Sequence, residues 1–146
     1  MKIYFAGSIR GGRRDLNLYR DLIAFLRGFG DVLTEHVGNA SLSEKGEEDS
    51  DGEIYRKDMG WLLESDAVVA EVSAPSLGVG YEIGAAEAMG KPILCLYRED
   101  AEKKLSAMIA GNPNLLVGTY KELAGAKERI RAFFKLPLGK MDSFKD

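Results

Sequence analysis

Apolar residues recur along this chain in two rhythms. Short dense runs occupy residues 2–6 (KIYFA), 31–34 (DVLT), 67–72 (AVVAEV), 92–97 (PILCLY) and 115–118. These read as strands, and the third is apolar enough to be buried on both faces. Between them the spacing turns helical. Leu16, Tyr19, Leu22, Ile23, Leu26 and Phe29 fall on one face of a helix over 13–29, which Gly30 ends. A second helix is predicted over 53–64, with Ile54, Met59, Trp61 and Leu62 available for packing. A third covers 79–89, where Gly84, Ala85, Ala86 and Ala88 allow close approach to a sheet. A short helix at 103–110 and a last one at 120–134 complete the series. Strands that alternate with helices predict an α/β domain, a five-stranded parallel sheet flanked by helices with right-handed crossovers.

Two segments stand outside this rhythm. Residues 38–52 are rich in Gly, Ser, Glu and Asp and predict a long loop, the kind that serves as a lid or binding loop. The tail from Pro137 to Asp146 is expected to fray beyond a single domain of residues 1–136.

Parallel sheets bind ligands beyond the carboxyl ends of their strands, where strand order reverses. That rule selects Gly7–Arg13, Glu35–His36 and Ser73–Glu82. In the first, Gly7, Gly11 and Gly12 let the backbone turn tightly and turn its amides toward an anion. The following helix N-terminus, the Ser8 hydroxyl and the Arg10 and Arg13 guanidiniums suit a phosphate. The Lys-Ser/Thr ending of a Walker loop is absent. A plain glycine-rich turn with solvated arginines is the alternative. In the third segment, the glycine spacing and its place after strand three make a poor dinucleotide fingerprint. Ser76 and the Gly78 amide sit at a helix mouth instead. Glu82 follows one turn later, and the helix dipole and nearby arginines are expected to keep it ionised. An ionised carboxylate beside a sugar is what covalent glycosyl transfer requires. A solvated helix residue is the competing reading. Asp58, in Tyr55-Arg56-Lys57-Asp58, is either a second carboxylate of the cleft or a surface charge. Tyr4 reads from its position as a packing tyrosine, and His36 as a ligand contact or a loop closure.

Composition narrows the field. The chain has 146 residues, 45% apolar and 29% charged, as expected of one globular domain. No apolar stretch nears the length of a membrane span, roughly 20 residues. Met1–Gly7 lacks the long apolar core of a leader and runs at once into Arg10, Arg13 and Arg14, so it is read as a strand. A net charge of −3 argues against a nucleic-acid polymer as partner. Arg10, Arg13 and Arg14 fit one phosphate better. The single cysteine, Cys95, forms no internal disulfide and is expected in the core. One His and one Cys do not make a zinc site. Neither a metal nor a cofactor is expected.

The run Tyr4–Arg13 resembles the opening of the 2'-deoxynucleoside 5'-phosphate N-hydrolases, in the nucleoside 2-deoxyribosyltransferase superfamily. Val32–Val37, Asp66–Gly84 and Leu105–Ile109 extend the resemblance over about residues 3–120. It implies a Rossmann-like, flavodoxin-like fold and hydrolysis of the base–sugar bond of deoxynucleoside monophosphates in the cytoplasm. Glu82 is similar to the family's nucleophile, Asp58 to the second carboxylate, and Tyr4 to the hydroxyl that orients the nucleophile. Ser8, Ile9, Arg10, Ser76 and Gly78 resemble the phosphate pocket, and His36 a residue near the base. Ser106 and Met108 resemble a segment lent to a neighbouring subunit, which implies a homodimer. Ala6 replaces a cysteine of some relatives. The candidate catalytic set is Glu82, Asp58 and Tyr4. The candidate substrate contacts are Gly7, Ser8, Ile9, Arg10, Gly11, Gly12, Arg13, Tyr19, His36, Ser76, Gly78, Ser106, Ala107 and Met108. Two rivals stay open: a deoxyribosyltransferase passing the sugar to a second base, and a nucleotide-binding module without turnover.

Overall fold

Five parallel strands in the order β2-β1-β3-β4-β5 form the sheet of the computed structural model. The structure describes residues 1–9, 12–34 and 50–136. The order follows from β1 (Lys2–Gly7), α1 (Gly12–Leu26), β2 (Asp31–Val32), α2 (Asp51–Glu64), β3 (Ala67–Glu71), α3 (Leu77–Ala88), β4 (Ile93–Arg98), α4 (Ala107–Ala110), β5 (Leu116–Tyr120) and α5 (Leu123–Lys135). This is the flavodoxin-like arrangement. Its switch point lies between β1 and β3, where Gly7 stands opposite Glu71.

Strand alternation sends successive side chains to opposite faces, and each face has its own core. Ile3, Phe5, Val69, Leu94 and Leu96 pack with Tyr19, Leu22 and Leu26 of α1 and with Ile130 and Phe133 of α5. Tyr4, Ala6, Val68, Ala70 and Cys95 pack with Leu62 of α2 and with Val79, Ile83 and Ala86 of α3. β3 is buried along its whole length, as its composition predicts. Cys95 lies in the second core, where burial pushes its thiol up to about 12.

Several boundaries differ from the sequence reading, each for a local reason. β2 stops at Val32 rather than residue 34. Thr34 replaces the ladder with its side chain, which donates to Phe5 O at 2.6 Å and accepts from Phe5 N at 2.8 Å. α1 ends at Leu26 rather than 29, because tighter turns take over: Gly28 N donates to Phe25 O at 3.1 Å and Phe29 N to Leu26 O at 2.9 Å. Gly30 then passes so close to the first residue that a Cβ there would meet Met1 O at 2.3 Å. α2 starts at Asp51 because Ser50 caps it, accepting from Glu53 N at 3.2 Å. α4 is only Ala107–Ala110, with Ser106 as its cap. β5 runs on to Tyr120, in register with Arg98, so α5 begins at Leu123 instead of residue 120. The expected loop at 38–52 falls outside the described residues up to position 49, and the tail Pro137–Asp146 wholly so. Among the described residues no helix is long and apolar enough to cross a membrane.

Candidate active site

Tyr4 is 2% exposed in the middle of β1, and strand alternation turns its ring toward α2 and α3. Above it the two helices form a cleft of about 240 Å³. Asp51, Ile54, Tyr55, Asp58 and Met59 line one side, and Gly78, Tyr81 and Glu82 the other. Both sets follow helical spacing, so each is a single face of its helix. Ser76 caps α3 by accepting from Val79 N at 3.3 Å, which sets where the helix starts. Gly78 and Glu82, one turn apart, then look into the same space. Beyond Gly78, the nearest atom a Cβ would meet is Ser76 Oγ at 3.8 Å, so its backbone lies bare to the cleft.

Glu82, Tyr4 and Asp58 are electrostatically joined. The Tyr4 hydroxyl hydrogen-bonds the Glu82 carboxyl. Burial pushes Glu82 up to about 7, the nearby Asp58 charge pushes it the same way, and the Tyr4 bond pulls it partly back. Tyr4 is itself pushed far up, by burial first and then by Glu82 and Asp58, so it stays a neutral donor. The expectation of a firmly ionised Glu82 therefore needs correction. Its position is five residues past Leu77, the first residue of α3, and the macrodipole fades after the first turn. The described charge that bears on it is Asp58, of like sign. Once ionised, Glu82 is a nucleophile held by one phenol, with the Asp58 carboxylate beside it.

The remaining candidates divide. Gly7 ends β1, Ser8 is nearly buried and Ile9 is exposed, all at the switch point. Arg10, Gly11 and His36 lie outside the described residues, and Gly12 and Arg13 open α1. Tyr19 is not brought to the cleft. It is 2% exposed on the opposite face of the sheet, edge-to-face with Phe5 at 5.6 Å, and only its hydroxyl nears a loop, accepting from Ser8 N–H. Ser106 and Met108 line a separate groove of about 660 Å³ with Ser76, Leu77 and Tyr81, and Ala107 opens α4 beside them. Asp51, Ile54, Tyr55, Met59 and Tyr81 were not singled out from the sequence. The i, i+3, i+4, i+7, i+8 spacing of Asp51 to Met59 was the available signal. Among the described residues, no group of three or more His, Cys, Asp or Glu side chains gathers to hold a metal.

The model of the nucleoside 2-deoxyribosyltransferase family matches residues 3–127. This chain belongs to that family. Within it, the 5-hydroxymethyl-dUMP N-hydrolase of Danio rerio is 55% identical over 126 residues, 84% of this chain and 88% of the relative. The protein of the same name from Esox lucius is 54% identical over 114 residues, 76% of this chain and 79% of the relative. The solved CMP N-glycosidase of Clostridium botulinum superposes with a TM-score of 0.67 over 91% of this chain and 99% of that one. At 21% identity that likeness speaks for the fold.

Proposed function

We propose that this protein hydrolyses the N-glycosidic bond of 2'-deoxynucleoside 5'-monophosphates, releasing a free base and 2-deoxyribose 5-phosphate. The observation that carries the reading is the Tyr4–Glu82–Asp58 cluster facing one cleft. Relatives above 50% identity named as N-hydrolases of a deoxynucleotide support it.

In this reading Ser8, Ile9, Arg10, Ser76 and the Gly78 amide hold the 5'-phosphate and fix the sugar. Glu82, ionised and held by Tyr4, attacks the anomeric carbon. The carbon–nitrogen bond breaks with its electron pair going to the base, which takes up a proton from solvent water. A deoxyribosyl ester of Glu82 forms. Water then attacks the same carbon, gives its proton to Asp58, and frees Glu82 as a carboxylate. The absence of a 2'-hydroxyl eases the positive charge that develops on the sugar.

The protein works as a homodimer in the cytoplasm. Leu77 is 96% exposed, Met108 81% and Tyr81 59%, three large apolar side chains beside the cleft. A second copy laid over them would bury that surface and bring Ser106–Met108 to its neighbour's site. The lone thiol buried in the core suits a reducing compartment.

The test is release of free base from a panel of deoxynucleoside monophosphates and deoxynucleosides, with and without an acceptor base. Base release from the monophosphates, without need of an acceptor, is the expected result. Turnover that requires an acceptor identifies a transferase instead. Glu82→Ala should abolish release while still binding the nucleotide, and retained turnover removes Glu82 from its role.

A further inference from the structure

A second buried glutamate lies across the sheet from the cleft. Glu71 ends β3, is 1% exposed, and stands in register between Gly7 of β1 and Leu96 of β4. Strand alternation turns it away from Tyr4 and toward α1 and α5. Its carboxylate accepts from the Tyr120 hydroxyl at the end of β5 and from the Ser73 N–H at 2.7 Å. The Ser73 hydroxyl in turn accepts from Arg98 N at 2.8 Å. The Arg98 guanidinium, at the end of β4, binds Asp15 of α1 at 2.7 Å, with both side chains nearly buried. One turn on from Asp15, Tyr19 packs its ring on Gly7, so tightly that a Cβ there would sit 2.9 Å away. Its hydroxyl accepts from Ser8 N–H.

Followed outward, the Glu71 bonds reach the loop after β3 through Ser73, and the Arg98 charge that bears on Glu71 is tied to α1 through Asp15. Ser73 begins the connection that ends at Ser76 and Gly78. Ser8, beside Tyr19, and Asp15, in the first turn of α1, flank the start of the connection after Gly7. Among the described residues, none of the cluster lines the cleft of Glu82 and Asp58. Burying a carboxylate this completely is costly unless it is fully bonded, so a hydrophobic side chain would serve a merely structural strand end at less cost.

We propose that Glu71 is a positioning residue for the phosphate. Through Ser73 and through Arg98–Asp15 it sets the spacing between the Ser8 and Ser76 loops, which must grip one phosphate from two sides. This rests on the functional reading above for the identity of the ligand.

The experiment compares wild type with Glu71→Gln, which keeps size and loses charge, and with Tyr120→Phe, which keeps the carboxylate and loses one bond. Steady-state kinetics on a deoxynucleoside monophosphate and on the matching unphosphorylated deoxynucleoside are run beside direct titration with inorganic phosphate. Glu71→Gln should raise KM for the monophosphate about tenfold with a smaller change in kcat, and weaken phosphate binding in parallel. Tyr120→Phe should move both in the same direction by less. The unphosphorylated substrate should lose far less than the monophosphate. Unchanged KM and phosphate affinity in a folded Glu71→Gln protein overturn the proposal. So does an equal loss on both substrates, which marks general loosening. If Glu71→Gln does not fold, Tyr120→Phe decides by the same split. If wild type releases no base yet binds phosphate, the functional reading falls while the phosphate titration still tests Glu71. A wild type that binds no phosphate overturns the proposal for Glu71, while base release still decides the functional reading.

Discussion

Two glutamates sit within one strand-and-loop unit and are treated in opposite ways. Burial raises the pKa of both. Around Glu71 the fold answers that penalty with the Tyr120 hydroxyl, the Ser73 amide and the Arg98 charge. Among the described residues, Glu82 meets one donor, Tyr4, and a second carboxylate, Asp58, on the same cleft. A carboxylate saturated with donors is a fixture. One left short of donors beside an open cleft is a reactive group whose remaining lone pairs await a ligand. The contrast locates the chemistry more sharply than burial or charge alone.

The largest expected effect is on Glu82. Glu82→Gln keeps an acceptor for Tyr4 but no nucleophilic charge, and should lower kcat roughly ten-thousandfold. The same change should stabilise the fold. With a pKa of about 7 against its ordinary 4.5, Glu82 holds a proton in the folded chain that the unfolded chain has released. Its contribution to stability is full below 4.5 and is lost as pH rises through about 7. A glutamine escapes that loss, so urea unfolding at pH 8 should find the variant more stable by roughly 2–3 kcal/mol. At pH 4 the gain should vanish. A variant that is less stable at pH 8 would mean that Glu82 is as well satisfied as Glu71, and the contrast would fail.

Tyr120→Phe is the complementary change. It strips one donor from Glu71, which has no open cleft in which to find another. Chemical denaturation at pH 7 should show a loss of about 2 kcal/mol. A loss near zero would mean that the Ser73 amide and Arg98 suffice.

How far the sequence revealed these sites depends on whether partners lie near one another in the chain. Strand and helix periods gave the α/β class and all five strands, because alternation is local. The switch point followed from the fold class, so Gly7–Ser8 and Ser76–Glu82 could be read directly. Tyr4 read as mere packing until the resemblance gave it a role. The raised pKa of Glu82 was not legible because its first cause is burial in the assembled cleft, and its second is Asp58, twenty-four residues earlier, brought close only by packing. Glu71 was legible only as an oddity, a charge ending a run apolar enough for double burial. Its partners at Tyr120 and Arg98 come from other strands, and only the sheet register brings them together. Thr34 in place of a longer β2 has the same cause, a side chain satisfying a backbone far away in sequence.

The smallest effect concerns the bond that Tyr4 makes to Glu82. Tyr4→Phe removes the group that pulls the Glu82 pKa down, leaving burial and Asp58 unopposed. The rising limb of kcat/KM, which tracks ionisation of Glu82 in the free enzyme, should level off near pH 7 in the wild type and at higher pH in the variant. At pH 7 the loss should be about fivefold, the worth of a single hydrogen bond, and activity should recover as the pH is raised. A limb that stays in place above a lowered plateau would give Tyr4 a different part, holding the developing charge of the sugar rather than the resting charge of the glutamate. Recovery at high pH would instead tie the tyrosine to the carboxylate alone. Tyr4 and Tyr120 would then be the same device, a phenol donating to a buried glutamate, used on one side of the sheet to tune a nucleophile and on the other to hold a frame.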